Sequence, residues 1–302
     1  MAIPFVRQMR FDYGVPDRLS PRITRVVSAN PGPFTFLGTG VYIVGGPEGC
    51  AVIDPGPDIP GQMEMLVTAL AGAKVSAILV THHHLDHSPM ARPLAALTGA
   101  PLYGTPAPVQ HTAPIGPELE EGEDDGFRPD HILADGEAIR GPDWTLRAMA
   151  TPGHTSAHLC FHLMEDNALF SGDHVMGWST TVISPPDGNM AAYFASLDKV
   201  RALAPAVIYP THGPPIDQPG PFIDALIAHR RAREQQVLAQ LAKGPQTIAE
   251  MVPEVYATTE RTLWPAAAHS MLAHLFHLVQ QGAVEADGGA GPSAGARYRL
   301  AM

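Results

Sequence analysis

The sequence predicts an α/β protein of the α+β type, built as a four-layer αββα sandwich. Apolar runs of strand length occur in groups, each group is followed by helical segments, and this order occurs twice along the chain. Two such sheets bury their facing sides against each other and their outer sides against helices. With 302 residues, 45% of them hydrophobic, the chain can bury such a core and is longer than one average domain.

The predicted elements follow this double order. In the first half, apolar and β-branched runs predict strands at 23–28, 36–44, 50–54 and 76–80, and helical spacing predicts helices at 61–71 and 90–97. In the second half, the same signals predict strands at 144–150, 158–164 and 207–209, with a helix at 190–202. We expect the functional site at one edge of the paired sheets.

The segment from Thr81 to His87 is the strongest functional signal, because it places five candidate metal ligands directly after a predicted strand. Side chains alternate along an extended chain, so His82 and His84 project to one side and His83 to the other. A solvated loop or a tag is the competing interpretation. A tag would lie at a terminus and would lack the aspartate and the preceding strand.

Asp86 and His87 complete this segment. They precede an Ala- and Leu-rich stretch that looks helical, so they are predicted to lie at a helix start and to face a second point in space. One segment can therefore supply ligands to two adjacent metals. Nitrogen and carboxylate ligands suit zinc, iron or manganese.

This pattern resembles the His-x-His-x-Asp-His signature of the metallo-β-lactamase-fold hydrolases. Segments 151–155, 169–173 and 209–213 resemble the family's later motifs and occur in the family's order. The resemblance implies that His82, His84 and His154 hold one metal. It also implies that a second metal is held by Asp86, His87 and His212, with Asp173 bridging the two.

Such a centre predicts a metallohydrolase with two divalent ions, zinc first, with iron or manganese as alternatives. The two cations outweigh the charge of their carboxylates, so the site would generate hydroxide near neutral pH and stabilise an oxyanion or a phosphate. Esters, thioesters, lactones and phosphodiesters are the expected substrates. The resemblance implies that Asp86 also orients the nucleophile or accepts a proton.

Other candidate residues carry two interpretations each. Asp54 resembles the family's acid that steadies ligand histidines, although an aspartate before Pro-Gly is also an ordinary turn residue. Tyr193 matches a Tyr-x-x-Ser-Leu segment of the family, which implies substrate contact, and core packing is the alternative. A hydrogen-bonded structural role is predicted for His158 and His174, and His83 is predicted not to be a ligand.

The ends of the chain are similar to the lactamase-like subgroup that carries a C-terminal winged helix, which includes single-strand endoribonucleases and polyketide thioesterases. This similarity rests on segment 25–39, on an Arg-rich helix at 229–241 and on a Gly-rich wing at 288–295. We predict a catalytic domain at 1–228 and a winged-helix-like domain at 229–302. The apolar spacing around Trp264 predicts a helix that roofs the active site or forms a homodimer.

The charge distribution argues against a general nucleic-acid binder, because the net charge is −11 and the wing has no basic tip. The acidic stretch 118–125 is predicted to be a solvated loop. The predicted partner is a small-molecule or acyl-carrier substrate. Three alternative functions stay open: a single-strand endoribonuclease acting on RNA, an iron-dependent dioxygenase or diiron redox enzyme, and a non-enzymatic winged-helix binding protein.

Composition also predicts the compartment. The sequence has no apolar run long enough to span a bilayer, and charges interrupt segment 1–21, which therefore lacks the centre of a secretion signal. A cytoplasmic protein without a membrane partner is expected. Cys50 and Cys160 lie in apolar runs and are predicted to be buried, reduced thiols.

Overall fold

Two mixed β-sheets form the centre of the computed structural model, which describes residues 3–108, 122–287 and 291–301. In the described residues the first sheet has seven strands in chain order: β1 (Asp17–Arg18), β2 (Ile23–Val27), β3 (Gly40–Gly46), β4 (Gly49–Ile53), β5 (Val75–Leu79), β6 (Leu102–Gly104) and β7 (His131–Ile132). Strands β1 to β4 pair antiparallel, and β4 to β7 pair parallel.

The second sheet has the order β12-β11-β10-β9-β8. Its strands are β8 (Ala138–Arg140), β9 (Thr145–Ala150), β10 (Leu159–Leu163), β11 (Ala168–Gly172) and β12 (Val207–Pro210). The pair β11 and β12 is parallel, and the other pairs are antiparallel. The carboxyl ends of β9, β11 and β12 therefore lie at the same edge of this sheet.

The inner core lies between the two sheets. Alternation puts Leu159, Phe161 and Leu163 of β10 on the inner face, against residues such as Tyr42 and Leu79 of the first sheet. All five side chains are almost completely buried, and burial of such side chains contributes about 1.5–3 kcal/mol each. The facing sheets are thus held together mainly by apolar contact.

Helices cover both outer faces. The first sheet packs against α1 (Gln62–Leu70) and α2 (Ala91–Thr98), and the second against α3 (Met190–Leu203) and α4 (Pro219–Leu241). The predicted αββα sandwich is confirmed. Cys50 and Cys160 are buried free thiols within these outer layers, as predicted.

The C-terminal part has its own apolar core. It contains α5 (Ile248–Val255), a 3-10 turn (Arg261–Leu263), α6 (Trp264–Gln280) and a small sheet of β13 (Gln246–Thr247), β14 (Val284–Ala286) and β15 (Arg297–Leu300). Thr247 caps α5, because its side chain accepts from the Glu250 amide while the Glu250 carboxylate accepts from the Thr247 amide. Strands β14 and β15 form the predicted wing hairpin, whose residues 288–290 lie outside the described residues.

Helix α4 connects the two cores without interruption. It begins ten residues before the predicted helix 229–241, because Pro219 occupies the first turn, where a missing amide hydrogen is tolerated. Phe222 and Leu226 pack on the second sheet, and Val237 packs in the C-terminal core. The predicted domain boundary at 228/229 falls inside this helix. Among the described helices, none combines the length and apolarity that crossing a membrane needs.

Candidate metal centre

The predicted ligands meet at one edge of the sandwich. The segment 81–87 follows β5, His154 follows β9, Asp173 follows β11 and His212 follows β12. A hydrogen bond from the Leu159 amide to the Thr81 carbonyl, at 2.8 Å, links the two sheets at this edge. Carboxyl ends of strands thus converge from both sheets, which is why residues far apart in sequence lie side by side.

The first group contains His82, His84 and His154, all buried. The His84 Nδ1 atom lies 2.9 Å from His82 Nε2 and 3.2 Å from His154 Nε2. Ligand nitrogens around a tetrahedral zinc ion are about 3.3 Å apart when the metal–nitrogen bonds have their usual length. The three imidazoles therefore fit a single metal ion.

The second group contains Asp86, His87 and His212. Asp86 Oδ2 lies 3.0 Å from His212 Nε2 and 3.3 Å from His87 Nε2. Asp173 lies between the groups: its Oδ1 is 3.5 Å from His212 Nε2, and its Oδ2 is 4.0 Å from His154 Nε2. One carboxylate thus faces both groups, the arrangement that a bridging ligand requires.

Two buried atoms in this cluster lack a hydrogen bond within the described chain. They are His87 Nε2 and Asp173 Oδ1, and their residues belong to one ligand group with His82. Leaving a buried polar atom unsatisfied costs about 1–3 kcal/mol, and more for a charged group. Cations held by the ligand groups would satisfy both atoms, so the residues fit a metal centre.

Asp54 holds the second group in place from behind. Its carboxylate accepts from Thr81 N and Thr81 Oγ1, both at 2.8 Å, from Thr211 Oγ1 at 3.1 Å, and lies 2.9 Å from His87 Nδ1. The residue is fully buried and has a left-handed backbone, with φ of 49°. These contacts support the predicted role of steadying a ligand histidine over that of a turn aspartate.

Backbone carbonyls orient two other histidines. His154 Nδ1 lies 2.8 Å from the Val182 carbonyl, and His212 Nδ1 lies 3.2 Å from the Gly38 carbonyl. A carbonyl only accepts, so each Nδ1 carries the proton and each Nε2 is left to face the cluster. Both rings therefore have the tautomer that a metal ligand needs.

The buried histidines and aspartates of the cluster shift one another's pKa values. Burial, followed by the nearby histidines, holds the pKa of His82 well below its usual range, so this ring is neutral. Burial opposes the charge of Asp86, yet His87 and His212 hold the pKa of its carboxyl well below the usual range. Burial likewise opposes the charge of His212, but Asp173 and Asp86 raise its pKa. Cation binding would thus displace protons from the second group.

Three other histidines, His83, His158 and His174, lie near the cluster but outside the ligand groups of the described chain. His158 Nδ1 pairs with Thr151 Oγ1 at 2.9 Å, and its Nε2 accepts from the Asp173 amide at 3.2 Å, in line with its predicted structural role. The ring of His174 packs edge-on against Tyr193. His83 is buried outside the ligand groups found in the described chain, and burial lowers its pKa to about 4.

The acidic stretch 118–125 is only partly described, since 118–121 lie outside the described residues. The described part was expected in a solvated loop: Glu123 and Asp125 are exposed, whereas Asp124 is half-buried. The Asp124 amide donates to the His83 carbonyl at 2.7 Å, and Ser88 Oγ donates to its carboxylate at 2.8 Å. The loop packs against the segment 81–87, because buried backbone groups such as the His83 carbonyl need hydrogen-bond partners.

Tyr193 is fully buried in α3 and is not among the residues that line the cavity next to the cluster. This position favours core packing over substrate contact. Gly153 shows how close this contact is. A Cβ at Gly153, whose φ is +147°, would lie 2.5 Å from the Tyr193 Cα. The glycine before His154, a candidate ligand, is therefore required for the loop to pass α3.

A cavity of about 470 Å³ opens onto the cluster. His84, Asp86, His154 and Asp173 line it on the metal side. Other walls come from the N-terminal segment, from the loop 176–183, and from α4 and α6 of the C-terminal part. The predicted roofing role of the C-terminal helices is thus supported by their position.

Sequence reasoning missed the contact that joins α4 to the metal side. Arg230 Nη2 donates to the Thr181 carbonyl, and Thr181 Oγ1 lies 2.8 Å from the Asp173 carbonyl and 2.9 Å from the His174 carbonyl. Helix α4 is thereby connected to the candidate bridging ligand through one threonine. The only sequence signal was two arginines at helical spacing, Arg230 and Arg233.

Comparison with known proteins agrees with this geometry. Residues 35–212 match the model of the Metallo-beta-lactamase superfamily, and residues 247–291 match the Beta-lactamase associated winged helix domain. The Beta-lactamase-like protein 2 homolog of Caenorhabditis elegans is 32% identical over 273 residues, which cover 89% of this chain and 88% of that protein.

Two further similarities extend over most of the chain. An Atrochrysone carboxyl ACP thioesterase of Aspergillus fumigatus is 32% identical over 259 residues, covering 80% of this chain and 75% of that protein. The crystal structure of a Beta-lactamase domain protein from Burkholderia ambifaria has a TM-score of 0.78 and 26% identity, with 95% of this chain and 94% of that chain covered.

Proposed function

Since this chain belongs to the metallo-beta-lactamase superfamily and is a metallohydrolase, we propose that it hydrolyses thioesters or esters of modest size at a two-metal centre. The observation that carries the proposal is the cavity of about 470 Å³, which opens onto both ligand groups at once. A volume of that size suits a small ligand. Lactones and phosphodiesters share the chemistry and belong in the same test.

In this proposal His82, His84 and His154 hold one ion, Asp86, His87 and His212 hold the other, and Asp173 bridges them. Two divalent ions bound there would supply hydroxide near neutral pH and stabilise negative charge that develops on the substrate. Zinc is the proposed metal, because it accepts imidazole and carboxylate ligands readily, and iron and manganese remain the alternatives.

The chain's own residues do the positioning. Asp86 lines the cavity and stays ionised through His87 and His212, so its carboxylate can accept a hydrogen bond from the attacking water. Asp54 fixes the ring of His87 from the far side. The α6 residues Ala267 and Ser270 wall the cavity and would exclude bulk water from the reacting bond.

The choice of thioesters is supported by the thioesterase from Aspergillus fumigatus, which is named for an acyl-carrier substrate and is 32% identical over 80% of this chain. We extend that substrate class to this chain as a proposal. A homodimer and an address in the cytoplasm also stay proposals.

The test is a panel of thioesters, esters, lactones, phosphodiesters and short single-stranded RNAs, assayed with protein whose metal content has been measured. We expect thioester turnover with two metals per chain, and loss of that turnover in H84A. RNA cleavage without thioester turnover would favour the endoribonuclease instead. Iron alone at one site per chain would favour the dioxygenase, and protein without metal would leave only a binding role.

A further inference from the structure

The cavity has an unusual charge distribution for so acidic a chain. Although the net charge is −11, the described residues that line the cavity include three arginines, Arg7, Arg230 and Arg233. The acidic side chains of that lining are Asp86 and Asp173, which are both candidate metal ligands. The rest of the lining is thus cationic, and the carboxylate behind it, Glu234, lies outside the lining and pairs with His274 at 3.3 Å.

Arg230 is the buried member of this set, with 3% of its surface exposed. One edge of its guanidinium donates to the Thr181 carbonyl, and its cation lies 5.4 Å from the ring centre of Tyr193. Its Nε is buried without a hydrogen-bond partner, and the described chain offers it no carboxylate within ion-pair distance. A buried guanidinium left uncompensated is costly, which is a reason to look for an anion from outside the chain.

Arg233 lies one turn further along α4 and is half-buried. Its guanidinium stacks 4.0 Å from the ring centre of Tyr256, and its Nη1 donates to the Gln236 side chain and to the Val255 carbonyl. These contacts fix the plane of the group, while none of its partners among the described residues is a carboxylate. A fixed guanidinium plane is the usual device for binding a carboxylate or a phosphate through two hydrogen bonds.

Two histidines complete the wall. Burial, with Arg230 and Arg233 beside it, lowers the pKa of His229 to about 4, so this ring is neutral and adds no charge to the wall. His274 is completely buried, lines the cavity and has an Nε2 without a partner in the described chain. The wall therefore contains two buried polar atoms, Arg230 Nε and His274 Nε2, that lack a partner in the described chain.

We propose that Arg230 and Arg233 of α4, with Arg7 of the same cavity lining, bind an anionic group of the substrate, a carboxylate or a phosphate, while the ester bond lies at the candidate metal ligands. The inference rests on the proposed function, because it assigns a substrate class to the same cavity. It makes the C-terminal helix a determinant of specificity. The substrate would be an anionic acyl thioester rather than a neutral one.

Two matched pairs of thioesters test this and separate the two sources of the anion. Glutaryl and pentanoyl thioesters of the same thiol differ by a terminal carboxylate on the acyl side. Acyl-phosphopantetheine and acyl-pantetheine differ by a phosphate on the thiol side. We expect kcat/KM to favour the anionic member of at least one pair by about tenfold or more, mainly through KM.

The variant R233Q should lower that preference by about fivefold or more, and R233K should retain part of it, since lysine keeps the charge and loses the planar fork. R231Q is the matched control: Arg231 is the exposed neighbour on the same helix, outside the cavity lining, and its loss should leave the preference unchanged. R7Q offers a second variant at an exposed position, should R233Q fold poorly.

Binding is measured separately by calorimetry with thioether analogues, in which CH₂ replaces the carbonyl. Equal hydrolysis of both members of both pairs would overturn the anion site and leave the proposed function intact. Tight, Arg233-dependent binding of the anionic thioether without any thioester hydrolysis would overturn the proposed function and leave the anion site intact. A preference that R233Q, R7Q and R231Q leave equally unchanged would also overturn the assignment.

Discussion

The substitution D54N probes how strongly the second ligand group depends on its buried support. The carboxylate of Asp54 accepts from Thr81 N and lies within 2.9 Å of His87 Nδ1, through different oxygens. An asparagine amide has one oxygen, so in either orientation its NH₂ group must face one of these two donors. The conflict favours the tautomer of His87 that is wrong for a ligand, or it leaves the Thr81 amide unsatisfied.

The magnitude follows from this conflict. A buried donor without an acceptor costs about 1–3 kcal/mol. Loss of a residue that orients a metal-binding histidine weakens metal affinity by about 10–100-fold, which corresponds to about 1.4–2.7 kcal/mol. We therefore expect D54N to bind the first metal ion nearly as well as the unmodified protein and the second about 10–100-fold more weakly.

The assay is competition for zinc between the protein and a chelator of known affinity, followed to two equivalents per chain. D58N is the matched control, because Asp58 is exposed in the same loop and its loss removes the same charge. The urea unfolding midpoint of each variant checks that it is correctly folded. Unchanged affinity for both ions in correctly folded D54N would refute the support role of Asp54.

Three other outcomes are expected. D173A should lose one metal equivalent and thioester turnover together, since its carboxylate faces both groups; elemental analysis showing two metals with full turnover would contradict the bridging assignment. G153A should lower the free energy of unfolding by about 1–3 kcal/mol more than G61A, because both glycines have positive φ but only at Gly153 would the Cβ clash; equal urea midpoints would count against this. Burial opposes the charge of Glu234, but hydrogen bonds from two α6 histidines lower its pKa from 4.5 to about 2. Its ionised form therefore stabilises the fold above pH 4.5, and the gap in urea midpoint between the unmodified protein and E234Q should close as the pH falls toward 2. A gap independent of pH would exclude this ionisation as the cause.

Local patterns were sufficient to predict most of the sandwich. Alternation in a run such as Leu159–Leu163 shows which residues face inward, and the same parity rule separated His82 and His84 from His83. Such signals lie within a few residues and survive in a single sequence. They therefore predicted the central strands and the helices α1 to α3, but the short strands β1, β6, β7 and β8 were missed. The later segments that meet at the edge were found by their resemblance to family motifs.

What could not be predicted depends on contacts between distant segments. The Pro-Gly-Pro sequence at 219–221 obscured the start of α4, whose position is stabilised by packing on the second sheet. The link from Arg230 through Thr181 to the Asp173 carbonyl joins residues about 50 positions apart in the chain. No local pattern reveals that an arginine near the C-terminal part reaches the metal side.

The continuity of α4 has a consequence for anyone who wishes to exchange the C-terminal part for that of a relative. A helix of 23 residues is about 35 Å long, and its two halves belong to different cores. A graft joined at residue 228 would replace Arg230 and Arg233 together with the donor's half of the helix, and would rotate them if the splice changed the helical phase. A junction after Leu241 would retain the α4 part of the native cavity wall, while the α6 part would be exchanged together with the wing.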